Sequence, residues 1–337
     1  MAEQFIPARY EWHWSSLLGS VQGVLGHFGL PDTSFWVAAV LGDAFRVGMP
    51  SGGAGAAFDV PGYGRRRLTD LEVGLGILGI RATVHERDLS RRRRPLLLDR
   101  RLRASLGTGH PVVAFGAGYA PGVGGEVGPE DAGASRREFG LIVGYDDARE
   151  AYRIDGPLTE QVGPWLPYAE LGQDGVRPGW LAVAMTARAR PHPERAAAQA
   201  REAALGSGSR EALTAWIAVL SGDSPVDAQG HAVRVQGVAA GRGEAAQFWS
   251  KIAEEMTELE VVAEGYRGAA LALSRLATLF PYPAGGDVQS AGSRSAGAAA
   301  LREARAAEAE ALARLAAISI PRELPVRRRE RSEGRDA

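Results

Sequence analysis

The sequence predicts an α+β domain over residues 1–188, an all-α helical bundle domain over residues 194–320 and a charged tail over residues 321–337. Three observations carry this division. Between residues 110 and 187 the apolar residues come in short, β-branched or alternating runs. Beyond residue 193 they recur every three or four positions, the helical period. Arg188–Glu194, holding Pro191 and Pro193, separates the two patterns and reads as a linker.

Taken in order, Leu17, Leu18, Val21, Val24, Leu25 and Phe28 share one face of a helix over residues 16–28. Ser15 or Ser16 suits its N-cap, because a hydroxyl there accepts from an unpaired first-turn amide. Gly19, Gly23 and Gly26 lower helix propensity, so close approach by another backbone is the expected reason for them. Gly29 ends the helix. Thr33–Val47 reads as a second helix running into an AFRV strand or turn, followed by a Gly/Ala/Ser loop at Ser51–Gly64. Thr69 and Glu72 form a capping-box pattern ahead of Leu71, Val73, Leu75 and Leu78. Residues 79–87, GIRATVHER, alternate as a strand does, and Pro95 opens a helix carrying Leu98, Leu102 and Leu106.

Four further strands follow: Pro111–Phe115, Phe139–Tyr145, Ala151–Asp155 and Trp180–Met185. A glycine-rich loop, Gly116–Ser135, separates the first two, and the polar turn Asp146–Arg149 joins the second and third as a hairpin. In the helical part, Phe248, Ile252, Met256, Leu259, Tyr266, Leu273, Leu276 and Phe280 predict one helix over Glu244–Phe280. At 1.5 Å per residue it would be roughly 55 Å long. Leu301, Leu312, Leu315 and Ile318 predict another over Ala296–Ile318. The tail, RRRERSEGRDA, is nearly free of apolar residues and is expected to be disordered.

Composition excludes several function classes. The formal net charge of -1 provides no general attraction to nucleic acid or anionic lipid. Lys251 is the sole lysine, and the arginine clusters Arg65–Arg67, Arg91–Arg94 and Arg100–Arg103 lack the interleaved aromatics of a nucleic-acid surface. They read as a solvated face. With no cysteine there is no disulfide, thiolate metal site or thiol nucleophile. Neither a secretory signal nor a membrane span is predicted, so the expected location is cytoplasmic, without a membrane partner. Phosphate-loop, GxSxG and HExxH patterns are missing, and the glycine run at Gly122–Gly128 neither matches GxGxxG nor opens a helix. His13 and His27, on the line of the first helix, would stand about 21 Å apart. No metal or cofactor is expected.

What remains is a spacing. Ser16 opens a buried helix thirteen residues before Gly29; Glu138 precedes the glycine of LIVGYDD by six; Asp155 ends the next strand before Gly-Pro. GHPVVAF (Gly109–Phe115) and VLGDAFRV (Val40–Val47) add two shorter matches. This arrangement resembles the papain-like fold of the butirosin biosynthesis protein H N-terminal domain and bacterial double-glycine peptidase-like family. The helical segment AEGYRGAALALSRLATLFPYP is similar to the helical tail of the longer members. The resemblance implies a Cys/His/Asp triad whose positions fall here on Ser16, Glu138 and Asp155.

Two of those three identities differ from the family's, and the difference is chemical. A helix N-terminus favours a thiolate, whereas a serine hydroxyl stays protonated until a base takes its proton. Glu138 is a poor base at neutral pH. The expectation is therefore a non-catalytic, degenerate acyltransferase or peptidase that retains its cleft. Its partner would be a peptide or a carrier-protein-bound acyl group in natural-product biosynthesis, and the helical domain would form a homodimer or cover the cleft. Two alternatives stay open: an active acyltransferase or amidohydrolase using Ser16 with Glu138 or His13 as base, and an arginine-rich binding module. Purely structural roles also exist for each residue: a helix cap for Ser16, pairing with Arg136 and Arg137 for Glu138, a turn for Asp155, and an aromatic cluster with Trp12 and Trp14 for His13.

Overall fold

The computed structural model describes residues 3–30, 34–47, 68–86, 95–115, 139–157, 159–168, 171, 180–187 and 191–320. The two loops at Ser51–Gly64 and Gly116–Ser135, the tail and Glu138 lie outside the described residues. So do the clusters Arg65–Arg67 and Arg91–Arg94.

The chain is mixed α+β. Strand β1 (Glu3–Phe5) precedes helices α1 (Ser16–His27) and α2 (Ser34–Leu41), then α3 (Leu68–Ile77), β2 (Ile80–Glu86) and α4 (Pro95–Gly107). Strands β3 (Val112–Phe115), β4 (Phe139–Asp146) and β5 (Ala151–Asp155) follow, with α5 (Thr159–Val162), β6 (Trp165–Pro167) and β7 (Trp180–Ala187). Five helices complete it: α6 (Pro193–Leu205), α7 (Ser209–Ser221), α8 (Ala228–Ala253), α9 (Glu260–Leu279) and α10 (Ala291–Ala317).

The sheet is antiparallel throughout, in the order β2-β7-β3-β4-β5-β6. Strand β1, which the sequence did not signal, shares one edge of β4 with β3: β3 pairs with residues 139–142 of β4 and β1 with residues 144–146. At the join, a Cβ on Gly144 would stand 2.2 Å from the Gln4 carbonyl oxygen, so only glycine lets β1 approach this closely.

Helix α1 packs on β4 and β3 and forms for the reasons its sequence suggests. Ser15 is the N-cap, extended at φ -103°, its Oγ accepting from the Leu18 amide at 3.4 Å. Leu17, Leu18, Val21, Val24 and Leu25 are buried. The expectation of close backbone approach holds at two of the three glycines. A Cβ on Gly19 would meet the Glu11 carbonyl oxygen at 2.3 Å, and one on Gly23 the Arg9 carbonyl oxygen at 2.0 Å. Gly26 has nothing within 4 Å.

After α2, Gly42 turns the chain at φ +76°, and Asp43–Phe45 form a 3₁₀ turn, the turn of the strand-or-turn reading of AFRV. Two element assignments change. The predicted long helix over Glu244–Phe280 is two helices. Helix α8 starts earlier, at Ala228 under an Asp227 cap, and ends at Ala253; a 3₁₀ turn at Thr257–Leu259 then leads into α9. The short turn reverses the chain yet keeps Ile252 and Leu259 both fully buried, so the apolar spacing runs through it unbroken. The last helix begins at Ala291, five residues before the predicted start, because Ser290 caps it through the Ser293 amide.

One apolar core runs through both halves. Leu17, Val21, Phe45 and Leu141 from the first half belong to the same buried cluster as Trp249, Ile252, Tyr266 and Leu315 from the second. A second cluster, built on Trp216, Leu273, Phe280 and Leu301, lies mostly among the helices. Among the described residues no helix is long and apolar enough to cross a membrane.

Candidate functional site

Ser16 is the first residue of α1, and Phe139 the first of β4. Ser16 is 6% exposed, and its Oγ accepts a hydrogen bond from the Phe139 amide at 3.1 Å. It is not the helix cap, since Ser15 fills that place. The residue before Phe139 is Glu138. Asp155 ends the neighbouring strand, where the β4–β5 register sets it opposite Leu141. The start of α1, the start of β4 at Phe139 and the end of β5 thus meet at one end of the sheet.

Asp155 is held by the segment ahead of α1. Its Oδ2 accepts from the Tyr10 amide at 3.2 Å, and the exposed Arg9 guanidinium lies 3.9 Å away. This role exceeds the turn position suggested by the Gly-Pro that follows. The same segment bonds to α1 through the Glu11 amide on the Gly19 carbonyl, at 3.2 Å.

His13 has both ring nitrogens engaged. The Ser15 amide donates to Nδ1 at 2.9 Å, which puts the neutral ring's proton on Nε2, aimed at Glu244 Oε1 at 2.9 Å. Burial opposes a positive charge here, but Glu244 and Asp43 outweigh it, so His13 titrates above its ordinary value. His13 is therefore placed as an ion-pair partner of α8 and not as a base for Ser16. The aromatic cluster is present too: Trp14 meets Trp12 at 4.7 Å and Tyr282 at 5.5 Å, both edge-to-face. Glu244 is 231 positions from His13 in sequence, and no local signal links them.

His27 serves elsewhere, its Nε2 3.1 Å from the Gly109 carbonyl oxygen. Among the described residues no three His, Asp or Glu side chains gather as metal ligands would. Of the arginine clusters, Arg103 is the informative member. It is sandwiched between the Tyr145 and Tyr168 rings, each 4.8 Å from its guanidinium carbon, and donates to Asp99 and Asp147. It ties α4 to the β4–β5 turn. A shallow groove of about 510 Å³ on the helical half, lined by Phe35, Ser250, Lys251, Arg267 and Leu271 among others, contains none of the Ser16, Asp155 or His13 groups. No protein-family model matches the chain, and no curated protein matches it.

Proposed function

We propose that this chain is a non-catalytic protein of papain-like ancestry whose former reaction centre now binds and positions rather than reacts. The observation that carries the reading is the Ser16–Phe139 bond: the hydroxyl at the nucleophile position accepts a main-chain amide and is nearly buried. Asp155, at the third position, likewise accepts the Tyr10 amide. Support for the ancestry comes from a buried helix whose first residue touches the start of one strand, beside a carboxylate ending the next.

With His13 engaged by Ser15 and Glu244, no described imidazole stands ready to take the Ser16 proton. The ligand class this reading assigns to the cleft is an extended peptide or a carrier-protein-bound acyl group, as in natural-product biosynthesis. The test is labelling with a fluorophosphonate, which reacts with activated serines. No labelling above a Ser16→Ala control is expected between pH 5 and 8. Labelling of the wild type that Ser16→Ala abolishes overturns the proposal in favour of serine-dependent acyl transfer.

A further inference from the structure

We infer that residues 9–15 form a lid, hinged between the buried Ala8 and Ser16 and latched to α8 by His13 on Glu244, which closes over the Asp155 end of the site. The inference rests on the function proposed above only for what the lid covers. Its hinges are clear in the burial pattern: Ala8 is 2% exposed and Ser16 6%, whereas Trp12 between them is 66% exposed. The segment has no regular secondary structure.

Several contacts hold the lid down. The Tyr10 amide is on Asp155, the Glu11 amide on the Gly19 carbonyl, His13 on Glu244, and the Trp14 ring on Tyr282. The floor is shaped for it. Gly19 leaves room for the Glu11 carbonyl and the Tyr10 ring, which a Cβ would meet at 2.3 and 2.6 Å. A stable surface loop has no need of so close a fit to glycine unless its closed position is specified.

The latch responds to protons. The groups facing His13 are Glu244 from α8 and Asp43 from the 3₁₀ turn. Of the nearby cations, Arg46 lies 3.8 Å from Asp43, and Arg242 is bound to Glu308. Glu244 Oε2 is buried without a hydrogen-bond partner among the described residues, which leaves this carboxylate under-compensated. Protonating His13 gives up the Ser15 amide on Nδ1 but sets a full positive charge against Glu244. Because the closed lid raises the affinity of His13 for its proton, protonation must in turn favour closure. The lid tightens below the His13 titration and loosens as pH rises through it.

Hydrogen exchange in the full-length chain tests this at the Tyr10 and Glu11 amides, with α9 amides as internal reference. After correction for intrinsic rates, wild-type protection at these two amides should fall about tenfold from pH 6 to pH 9, the scale of one charge-assisted bond. Glu244→Gln should lower it about tenfold at pH 6 and leave it flat with pH. Gly19→Ala should expose both amides at every pH. Unchanged protection in Glu244→Gln, or a pH-independent wild type, overturns the lid. If Glu244→Gln also loses α9 protection, Gly19→Ala decides, and wild-type protection at Tyr10 and Glu11 in that variant overturns the inference. Opening without a gain in binding of an S-acyl-pantetheine probe counts against the cleft function and for the lid.

Discussion

Arg242 and Glu308 form a fully buried, two-pronged ion pair between α8 and α10, with Nε 3.1 Å from Oε2 and Nη2 2.9 Å from Oε1. The remaining nitrogen, Nη1, donates to the carbonyls of Ala44, in the 3₁₀ turn, and of Arg46, which follows it. Arginine is suited to this place because its planar fork satisfies a carboxylate and two carbonyls together. The pair therefore pins the α+β layer to the helices.

Removing one partner should unfold the molecule readily. Glu308→Gln strands a buried guanidinium and is expected to cost about 3–5 kcal/mol. The double variant Arg242→Met, Glu308→Leu should cost clearly less than the sum of its single changes, because no charge is left behind. Urea midpoints at neutral pH read both. A double variant that costs as much as its two single changes added together would show that packing, not charge, governs the site.

The glycines of α1 should respond in opposite directions. Gly26→Ala meets open space on an exposed helical position and should stabilise by about 0.5–1 kcal/mol. Gly23→Ala drives a methyl into the Arg9 carbonyl and should destabilise by about 1–3 kcal/mol. Thermal unfolding of the two variants in parallel provides the measurement.

Acid should weaken the fold through His231. Burial, with Arg234 and Arg294 nearby, lowers this histidine to about 4, and the ring packs between Trp216 and Phe280. Between its ordinary 6.5 and about 4 the unfolded chain binds the proton and the folded chain does not. Stability is therefore lost as pH falls through that window, by about 3 kcal/mol in all. His13 works the other way: its contribution is complete below pH 6.5 and is lost as pH rises through its raised value. His231→Phe should flatten the acid side of a stability–pH curve, and His13→Gln the neutral side.

At the β4–β5 turn, Arg103→Lys should cost about 1–2 kcal/mol despite keeping the charge, because a lysine cannot reach Asp99 through one nitrogen and Asp147 through another while stacking on two tyrosines. Tyr168, pushed up to about 12 chiefly by burial, should ionise late in an alkaline absorbance titration. Its ionisation near pH 10 in the wild type would contradict the network.

Restoring the thiol and imidazole tests ancestry. Ser16→Cys with Glu138→His should yield a cysteine alkylated by iodoacetamide at pH 6 about tenfold faster than Ser16→Cys alone, as expected for a thiolate at a helix start beside an imidazole. Equal rates would remove the ancestral assignment.

The sequence alone determined much of the local structure of this protein. Helix α1 and its face, the strands at Phe139–Tyr145 and Ala151–Asp155, their hairpin turn, and the crowding at Gly19 and Gly23 all follow from periodicity, caps and the missing side chains of glycine. It also singled out Ser16 and Asp155, which the fold brings to one end of the sheet. Tertiary structure alone decided that α8 and α9 are separate, since apolar spacing is blind to a short turn that keeps both flanking residues inside. It decided that β1 joins β4, because a three-residue strand has too few positions to show alternation. It also decided that His13 answers to Glu244 and Arg242 to Glu308 and the Ala44 carbonyl. Those partners are set by packing between distant segments, and the charge of a residue carries no record of which opposite charge the fold will place beside it.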